Sequence, residues 1–207
     1  LSEGIYNATL IIAGNGCVDS TTKSIYISKK PLSTIVHDEY NNCSNLNLFR
    51  LADTSIINDS IYHREWFFHD GTKDTAQNFL KSFNTYGQFI VGLKSSNLYC
   101  IDTAYDTLNV YPTPTAGFIV NNDEQCFNSQ NFSLIDSSLL YTGITSSRKW
   151  YFSDSSSFDS LITINKTFKN SGQYNVSLKI ITDKGCSDSV SQTLKVNPNP
   201  KPSMLYT

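Results

Sequence analysis

Tyr86-Gly87-Gln88-Phe89-Ile90-Val91-Gly92-Leu93, followed by a loop and Cys100, is the stretch that decides how this chain is built. It recurs as Ser171-Gly172-Gln173-Tyr174-Asn175-Val176-Ser177-Leu178 ahead of Cys186, and again as Gly4-Ile5-Tyr6-Asn7-Ala8-Thr9-Leu10 ahead of Cys17. The glycines lie 83 and 85 residues apart (87 − 4 and 172 − 87), and the cysteines 83 and 86 apart (100 − 17 and 186 − 100). In each copy the second, fourth and sixth residues after the glycine are large or apolar: Tyr6, Ala8, Leu10; Phe89, Val91, Leu93; Tyr174, Val176, Leu178. A period of two predicts a strand with one buried face.

A period near 84 in a chain of 207 residues predicts two complete repeats plus fragments, each repeat long enough to bury its own core. Charged residues are only 16% of the chain and the net charge is −2, which gives no electrostatic footprint for nucleic acid or an anionic membrane. Apolar runs reach no more than about five residues, around Leu10 to Ala13, far short of a membrane span. Abundant Ser, Thr and Asn, a single Met and 24 Tyr and Phe together are the profile of an all-β extracellular protein. No signal peptide opens the chain, and it begins in mid-repeat, so it is expected to be a segment of something longer.

Five cysteines leave one over. Cys43 and Cys126 come early in successive repeats and Cys100 and Cys186 come late, so the repeat suggests the pairs Cys43–Cys100 and Cys126–Cys186. Cys17 is then the late cysteine of a repeat whose first half lies upstream. Closing a loop of 57 residues (100 − 43) would stabilise a domain by about 4 kcal/mol in the chain-entropy account. Such bonds belong to an oxidising compartment. Neither a Cys-x-x-Cys pair nor a histidine at ligand spacing supports a metal-binding or catalytic thiol.

Taken in order, residues 1–30 supply the closing strands of a truncated repeat, with a turn at Gly14-Asn15-Gly16 and a strand around Ile25 and Ile27. Lys29-Lys30-Pro31 marks a boundary. The repeat over 31–112 opens with Leu32, Ile35 and Val36, passes Cys43, and is read as alternating through Leu46, Leu48 and Leu51. Ile61 to Thr72 reads as a strand ending in a tight turn, with Trp66 and Phe68 on one face, and Leu108 and Val110 close the repeat. Tyr111-Pro112-Thr113-Pro114 is the second boundary. The repeat over 113–198 follows the same order: Phe118 and Val120, Cys126, Phe132 and Leu134, Trp150-Tyr151-Phe152-Ser153-Asp154, and finally Leu194 and Val196. Residues 199–207 read as the start of a further repeat. Short proline-bearing junctions act as semi-rigid spacers. Many short strands at turn-punctuated intervals, with no amphipathic helix, predict an all-β fold of two-sheet sandwiches.

The order Trp-x-Phe-x-Asp-Gly, then Tyr-Gly-x-Phe-x-Val-x-Leu, then Cys-x-Asp and a closing strand before Pro-x-Pro resembles the PKD (polycystic kidney disease) domain. More narrowly, it is similar to the cysteine-containing repeats strung in tandem through large surface adhesins of Bacteroidota, gliding-motility adhesins among them. The resemblance covers nearly the whole chain, and Trp66-Phe67-Phe68-His69-Asp70-Gly71 is its most specific motif. It implies tandem immunoglobulin-like β-sandwich domains that are extracellular, non-enzymatic and used as spacers or adhesive modules. The family's Gly-Asp-Gly turn is His69-Asp70-Gly71 in one repeat and Ser153-Asp154-Ser155 in the next.

His37, His63 and His69 have no counterparts in the last repeat, so no repeated chemistry rests on them, and no zincin or Gly-x-Ser-x-Gly motif is present. Asp70 and Asp154 recur, but a single recurring carboxylate fits a turn cap better than a calcium site. Trp66 and Trp150 alternate with Phe68 and Phe152, a core pattern rather than a sugar-stacking platform. No catalytic residue, metal site or cofactor is expected. Asp followed by Ser or Thr and then an aliphatic residue or Thr occurs seven times, a pattern resembling the O-glycosylation sequon of Bacteroidota. It makes Ser20, Ser60, Thr75, Thr103, Thr107, Ser160 and Ser189 candidate O-glycosylation sites. Asp-Ser turn chemistry beside strands produces the same triplets.

The expected function is structural: a non-enzymatic stalk or filament segment of a large extracellular cell-surface adhesin. Its partners are the neighbouring repeats, and other surface proteins or polysaccharide where the rods meet them, with no nucleic acid and no membrane insertion. The alternative is a carbohydrate- or surface-binding module, accessory to a secreted hydrolase.

Overall fold

A computed structural model describes residues 2–57 and 62–204. Among these residues the chain is all-β, with one short 3-10 turn at Phe127–Ser129. It divides into two compact units. The first comprises Leu1–Asn41, Leu48–Ser82 and Gln88–Asn109; the second comprises Asn42–Asn47, Phe83–Gly87 and Val110–Thr207. The short stretches around Cys43 and Phe83 thus group with the second unit.

The first unit opens with β1 (Gly4–Gly14) and β2 (Cys17–Ile27), antiparallel over their whole length from Gly4 opposite Ile27 to Gly14 opposite Cys17. Asn15 (φ 52°) and Gly16 (φ 82°) make the two-residue turn. Positive φ at both central positions matches the twist of the flanking strands, and Asn-Gly supplies it at little cost. The period-two strand is therefore present as expected, but its buried face is not: Leu10 is 62% exposed, whereas Leu93 and Leu178 at the same position are fully buried. The hairpin pairs in a two-stranded sheet of its own, with no second sheet described to cover it.

The rest of that unit contains β3 (Ile35–Asn41), β4 (Leu48–Asp53), β5 (His63–Phe68), β6 (Lys73–Asp74), β7 (Asn78–Lys81), β8 (Gly87–Ser96) and β9 (Ile101–Val110). They form one sheet in the order β3-β4-β7 and another in the order β6-β5-β8-β9. Phe49 and Leu51 from the first sheet and Trp66, Phe68, Val91, Leu93 and Leu108 from the second are buried. Burying each large side chain contributes roughly 1.5–3 kcal/mol. The expected alternation through Leu46 and Leu48 is corrected: Leu46 is 70% exposed, and Phe49, Leu51 and Asp53 point inward. A strand has a strict period of two, so Leu48 and Leu51 cannot share a face. Leu32 and Val36 are likewise exposed; Leu32 makes only an isolated bridge to Ile56.

The second unit contains β10 (Phe118–Val120), β11 (Glu124–Cys126), β12 (Phe132–Asp136), β13 (Thr145–Phe152), β14 (Ser157–Asp159), β15 (Thr163–Lys166), β16 (Gly172–Thr182) and β17 (Ser187–Asn197). Sheet β10-β12-β15 faces sheet β11-β17-β16-β13-β14. Phe132, Leu134 and Ile164 from the first sheet meet Trp150, Phe152, Val176, Leu178, Ile180, Leu194 and Val196 from the second in one core. The two inner faces of a sandwich each supply alternate residues, as these do. The opening glycine has φ +153° at Gly4, +143° at Gly87 and +153° at Gly172, a conformation L side chains rarely adopt, which explains why glycine stands there in all three copies.

Candidate functional site

The residues that recur at the repeat period are the natural place to look for a function, and the cysteines lead. Cys43 and Cys186 form a disulfide with their Cα atoms 5.5 Å apart, 143 residues apart in sequence. The expected pairs Cys43–Cys100 and Cys126–Cys186 are therefore overturned; Cys17, Cys100 and Cys126 carry free thiols. The reason lies in strand direction. Cys186 immediately precedes β17, which runs eleven residues to Asn197, and Cys126 at the end of β11 pairs in parallel with Asn197. At ~3.3 Å per residue β17 puts roughly 35 Å between the two cysteines of that repeat, against a Cα separation below about 7 Å for a disulfide. In the preceding copy, Cys100 likewise precedes β9, while Cys43 bridges in parallel to Tyr111 just beyond that strand.

The surroundings of the bond are built mostly from backbone. Ser44 N–H donates to Tyr111 O and Tyr111 N–H to Asn42 O, both at 2.7 Å, which holds Cys43 beside the end of its own repeat. Cys186 lies in a turn where its N–H donates to the Thr182 hydroxyl at 3.2 Å, and its sulfur is 3.9 Å from Tyr111 O. Two residues on, the Asp188 carboxylate accepts from Ala116 N–H at 2.8 Å. Cys100 repeats the arrangement: its N–H donates to Asn97 Oδ1 at 2.7 Å, its sulfur is 3.9 Å from Ser28 O, and Asp102 accepts from Ser33 N–H at 2.8 Å. Lys30 adds an ion pair to Asp102 at 2.6 Å, and its hydrogen bond, with that of Ser33, holds the Asp102 carboxyl below its ordinary value.

The recurring turn aspartates are caps. Asp70 Oδ1 accepts from Thr72 N–H (2.9 Å) and the Thr72 hydroxyl (2.5 Å), and Oδ2 pairs with Lys81 at 3.0 Å. These donors, the Thr72 hydroxyl foremost, lower the Asp70 carboxyl to about 2. Asp154 is held the same way by Ser156 and by Lys166 at 2.7 Å. Burial pushes its carboxyl up, but the bonds from Lys166 and Ser156 outweigh it and the net shift is downward. Trp66 and Trp150 are fully buried and donate Nε1–H to Ala76 O (3.0 Å) and Leu161 O (2.9 Å), so they are core residues.

Two repeated polar devices escaped the sequence reading. Asp53 and Asp136, both nearly buried, pair with Arg64 and Arg148 and accept from Ser55 N–H and Ser138 N–H at 2.8 Å. Asn47 exchanges two hydrogen bonds with the backbone of Phe83 (2.7 Å each), and Gln130 does the same with Phe168 (2.8 Å each). Their signal was the offset itself: Asp53 to Asp136 and Asn47 to Gln130 are each 83 residues (136 − 53 and 130 − 47).

The other candidates scatter. His37 bonds Asp106 at 2.7 Å, whereas His63 and His69 are exposed and lie elsewhere. Among the described residues no three His, Cys, Asp or Glu side chains gather where they could hold a metal ion. Ser20, Thr75, Thr103, Thr107, Ser160 and Ser189 are all exposed; Ser60 lies outside the described residues. No described helix is long and apolar enough to cross a membrane.

Residues 109–197 match the family model of the PKD domain. Among solved structures, the chain is similar to the PKD1 domain of Vibrio anguillarum Epp (24% identity, 42% of this chain and 96% of that one, TM-score 0.37). It is also similar to the PKD1 domain of the Vibrio cholerae metalloprotease PrtV (25% identity, 41% and 98%, TM-score 0.36). The fibronectin(III)-like modules of Clostridium thermocellum CbhA align over 84% of this chain and all of theirs at 10% identity, with a TM-score of 0.40. No curated protein matches.

Proposed function

We propose that this chain, which carries a PKD domain over residues 109–197, is a non-enzymatic structural segment of a large extracellular adhesin, with the preceding repeat a second domain of the same kind. The observation that carries the reading is the Cys43–Cys186 disulfide, because it joins the early cysteine of one repeat to the late cysteine of the next. A bond so placed ties consecutive repeats to one another covalently, which suits a segment that bears load. Its partners are its own neighbouring repeats, and its place is the cell surface, where disulfides persist. Adhesins of Bacteroidota that serve gliding motility, bundled as filaments, are the setting that the repeat pattern suits.

Single-molecule pulling tests the brace. The bond shields 143 residues from force, so reduction should lengthen the fully extended chain by about 50 nm at roughly 3.5 Å per residue. Equal lengths in both states would remove the premise. Specific binding of the isolated chain to a glycan array would instead favour a carbohydrate-binding module accessory to a secreted hydrolase. The proposal extends to glycosylation of the Asp-Ser and Asp-Thr hydroxyls, and the exposure of the six that are described leaves room for sugar. Native material whose intact mass equals that of the bare polypeptide would end it.

A further inference from the structure

The chain contains the early cysteine position twice, at Cys43 and Cys126, and the late one three times, at Cys17, Cys100 and Cys186, and the Cys43–Cys186 bond sets the rule for the others. We propose that Cys126 and Cys100 are the open ends of a disulfide ladder, in which every early cysteine bonds the late cysteine of the following repeat. On this rule Cys126 is a covalent docking point for the cysteine of a Cys-x-Asp segment carried by a further repeat, and Cys100 for the early cysteine of a preceding one. The inference rests on the repeat and the bond, and it stands whether or not the segment serves as a stalk.

The geometry agrees at both positions. Cys43 sits in a parallel bridge to Tyr111, and Cys126 pairs in parallel with Asn197, which is the same place one repeat later (197 − 111 = 86, against 126 − 43 = 83). Glu124 Oε1 fixes that end of β11 by accepting from Lys195 and Asn197, each at 2.7 Å, and the Cys126 side chain is left exposed. At the late position, Cys186 lies 3.9 Å from Tyr111 O, the carbonyl of the residue that Cys43 bridges. Cys100 lies 3.9 Å from Ser28 O, and Ser28 precedes Tyr111 by the repeat spacing (111 − 28 = 83). What Cys43 is to Tyr111, a preceding early cysteine is to Ser28. The Asp two residues after each late cysteine ties the hairpin to the first residues of its own repeat, at Ser33 and Ala116, which presets where the sulfur stands. Cys17, also late, falls under the same rule, so the odd cysteine count needs no separate explanation.

Each rung forms by thiol–disulfide exchange. One cysteine thiolate attacks an external disulfide such as oxidised glutathione, forming a mixed disulfide and releasing one glutathione thiolate; the second cysteine thiolate then attacks the protein sulfur of that mixed disulfide, forming the rung and displacing the other glutathione. Two thiol protons and two electrons leave the protein, and the glutathione disulfide is reduced to two thiols.

The test compares the full chain with an extended chain in which residue 198 is followed by a further copy of residues 113–198. Both are folded in a glutathione redox buffer, alkylated, and mapped by non-reducing peptide mass spectrometry. In the full chain Cys126 is expected to be alkylated and Cys43 bonded to Cys186. In the extended chain the alkylation of Cys126 is lost, and its peptide is found joined to the late cysteine of the appended copy. The Cys43–Cys186 peptide, present in both, reports that the chain has folded. Alkylated Cys126 in a folded extended chain would overturn the proposal. A Cys43→Ser variant of the full chain gives a second readout: Cys186 becomes alkylatable and stays unbonded to Cys126, whereas a Cys126–Cys186 bond would overturn the rule. Loss of mechanical bracing with the ladder intact would count against the proposed function alone.

Discussion

Gly172 carries φ +153° at the start of β16, with nothing within 4 Å of where a Cβ would stand, so the constraint is backbone conformation and not space. Gly172→Ala is expected to cost about 1–3 kcal/mol, read as a lower denaturation midpoint with an unchanged slope. Asp70 makes a pH prediction. Its folded value, about 2, lies below the ordinary carboxylate value, so the unfolded chain binds the extra proton. The stability that Asp70 contributes is then present above the unfolded value and lost as pH falls towards the folded one. Asp70→Asn should therefore be less stable than the parent at neutral pH, and the gap should close between roughly pH 4 and pH 2. Because the group is at the surface, high salt should narrow the part of the gap that comes from Lys81. Denaturation midpoints across that range check both statements.

At the scale of the element, the repeated strand was legible because its alternation is strict and occurs three times, and Val91, Leu93, Val176 and Leu178 are all buried as read. The strand after Cys43 was misread because Leu46 and Leu48 suggested one parity and Leu51 the other. The copy containing Phe132 and Leu134, set back by 83, points to Phe49 and Leu51, which are the buried residues of that strand. The buried Asp–Arg pairs link strands across the sandwich: Asp136 on β12 with Arg148 on β13. Burial raises the Asp136 carboxyl, yet the bonds from Ser138 and Arg148 outweigh it and hold it low. Arg148→Met would leave that carboxylate uncompensated and should cost about 3 kcal/mol. Asp136→Leu combined with Arg148→Met should recover most of the loss, because an apolar pair of similar volume carries no desolvation penalty. A double-mutant cycle by chemical denaturation measures the difference.

For the whole molecule, the disulfide has the largest predicted effect. Closing 143 residues should stabilise the folded chain by about 5 kcal/mol in the chain-entropy account. Cys43→Ser should show a deficit of that order against the oxidised parent and none against the reduced parent. Thermal unfolding with and without reductant measures it. Removing an intra-repeat bond would affect one repeat; removing this one should uncouple the repeats over 31–112 and 113–198, seen as two separated transitions where the oxidised chain gives coincident ones.

By itself the sequence determined the repeat and its period, the all-β class, the closing strands of each copy, the tryptophan core and the turn-capping aspartates. Each of these is governed by neighbours a few residues away, or by alternation along a single strand. Which cysteines meet was decided only by the tertiary structure. The early cysteines are 83 residues apart and the late ones 83 and 86, so bonds within repeats and bonds between them fit the spacing equally well. Strand direction separates them: the closing strand starts beside the late cysteine and ends beside the early cysteine of its own repeat, which sets the two at opposite ends and keeps them from bonding to each other.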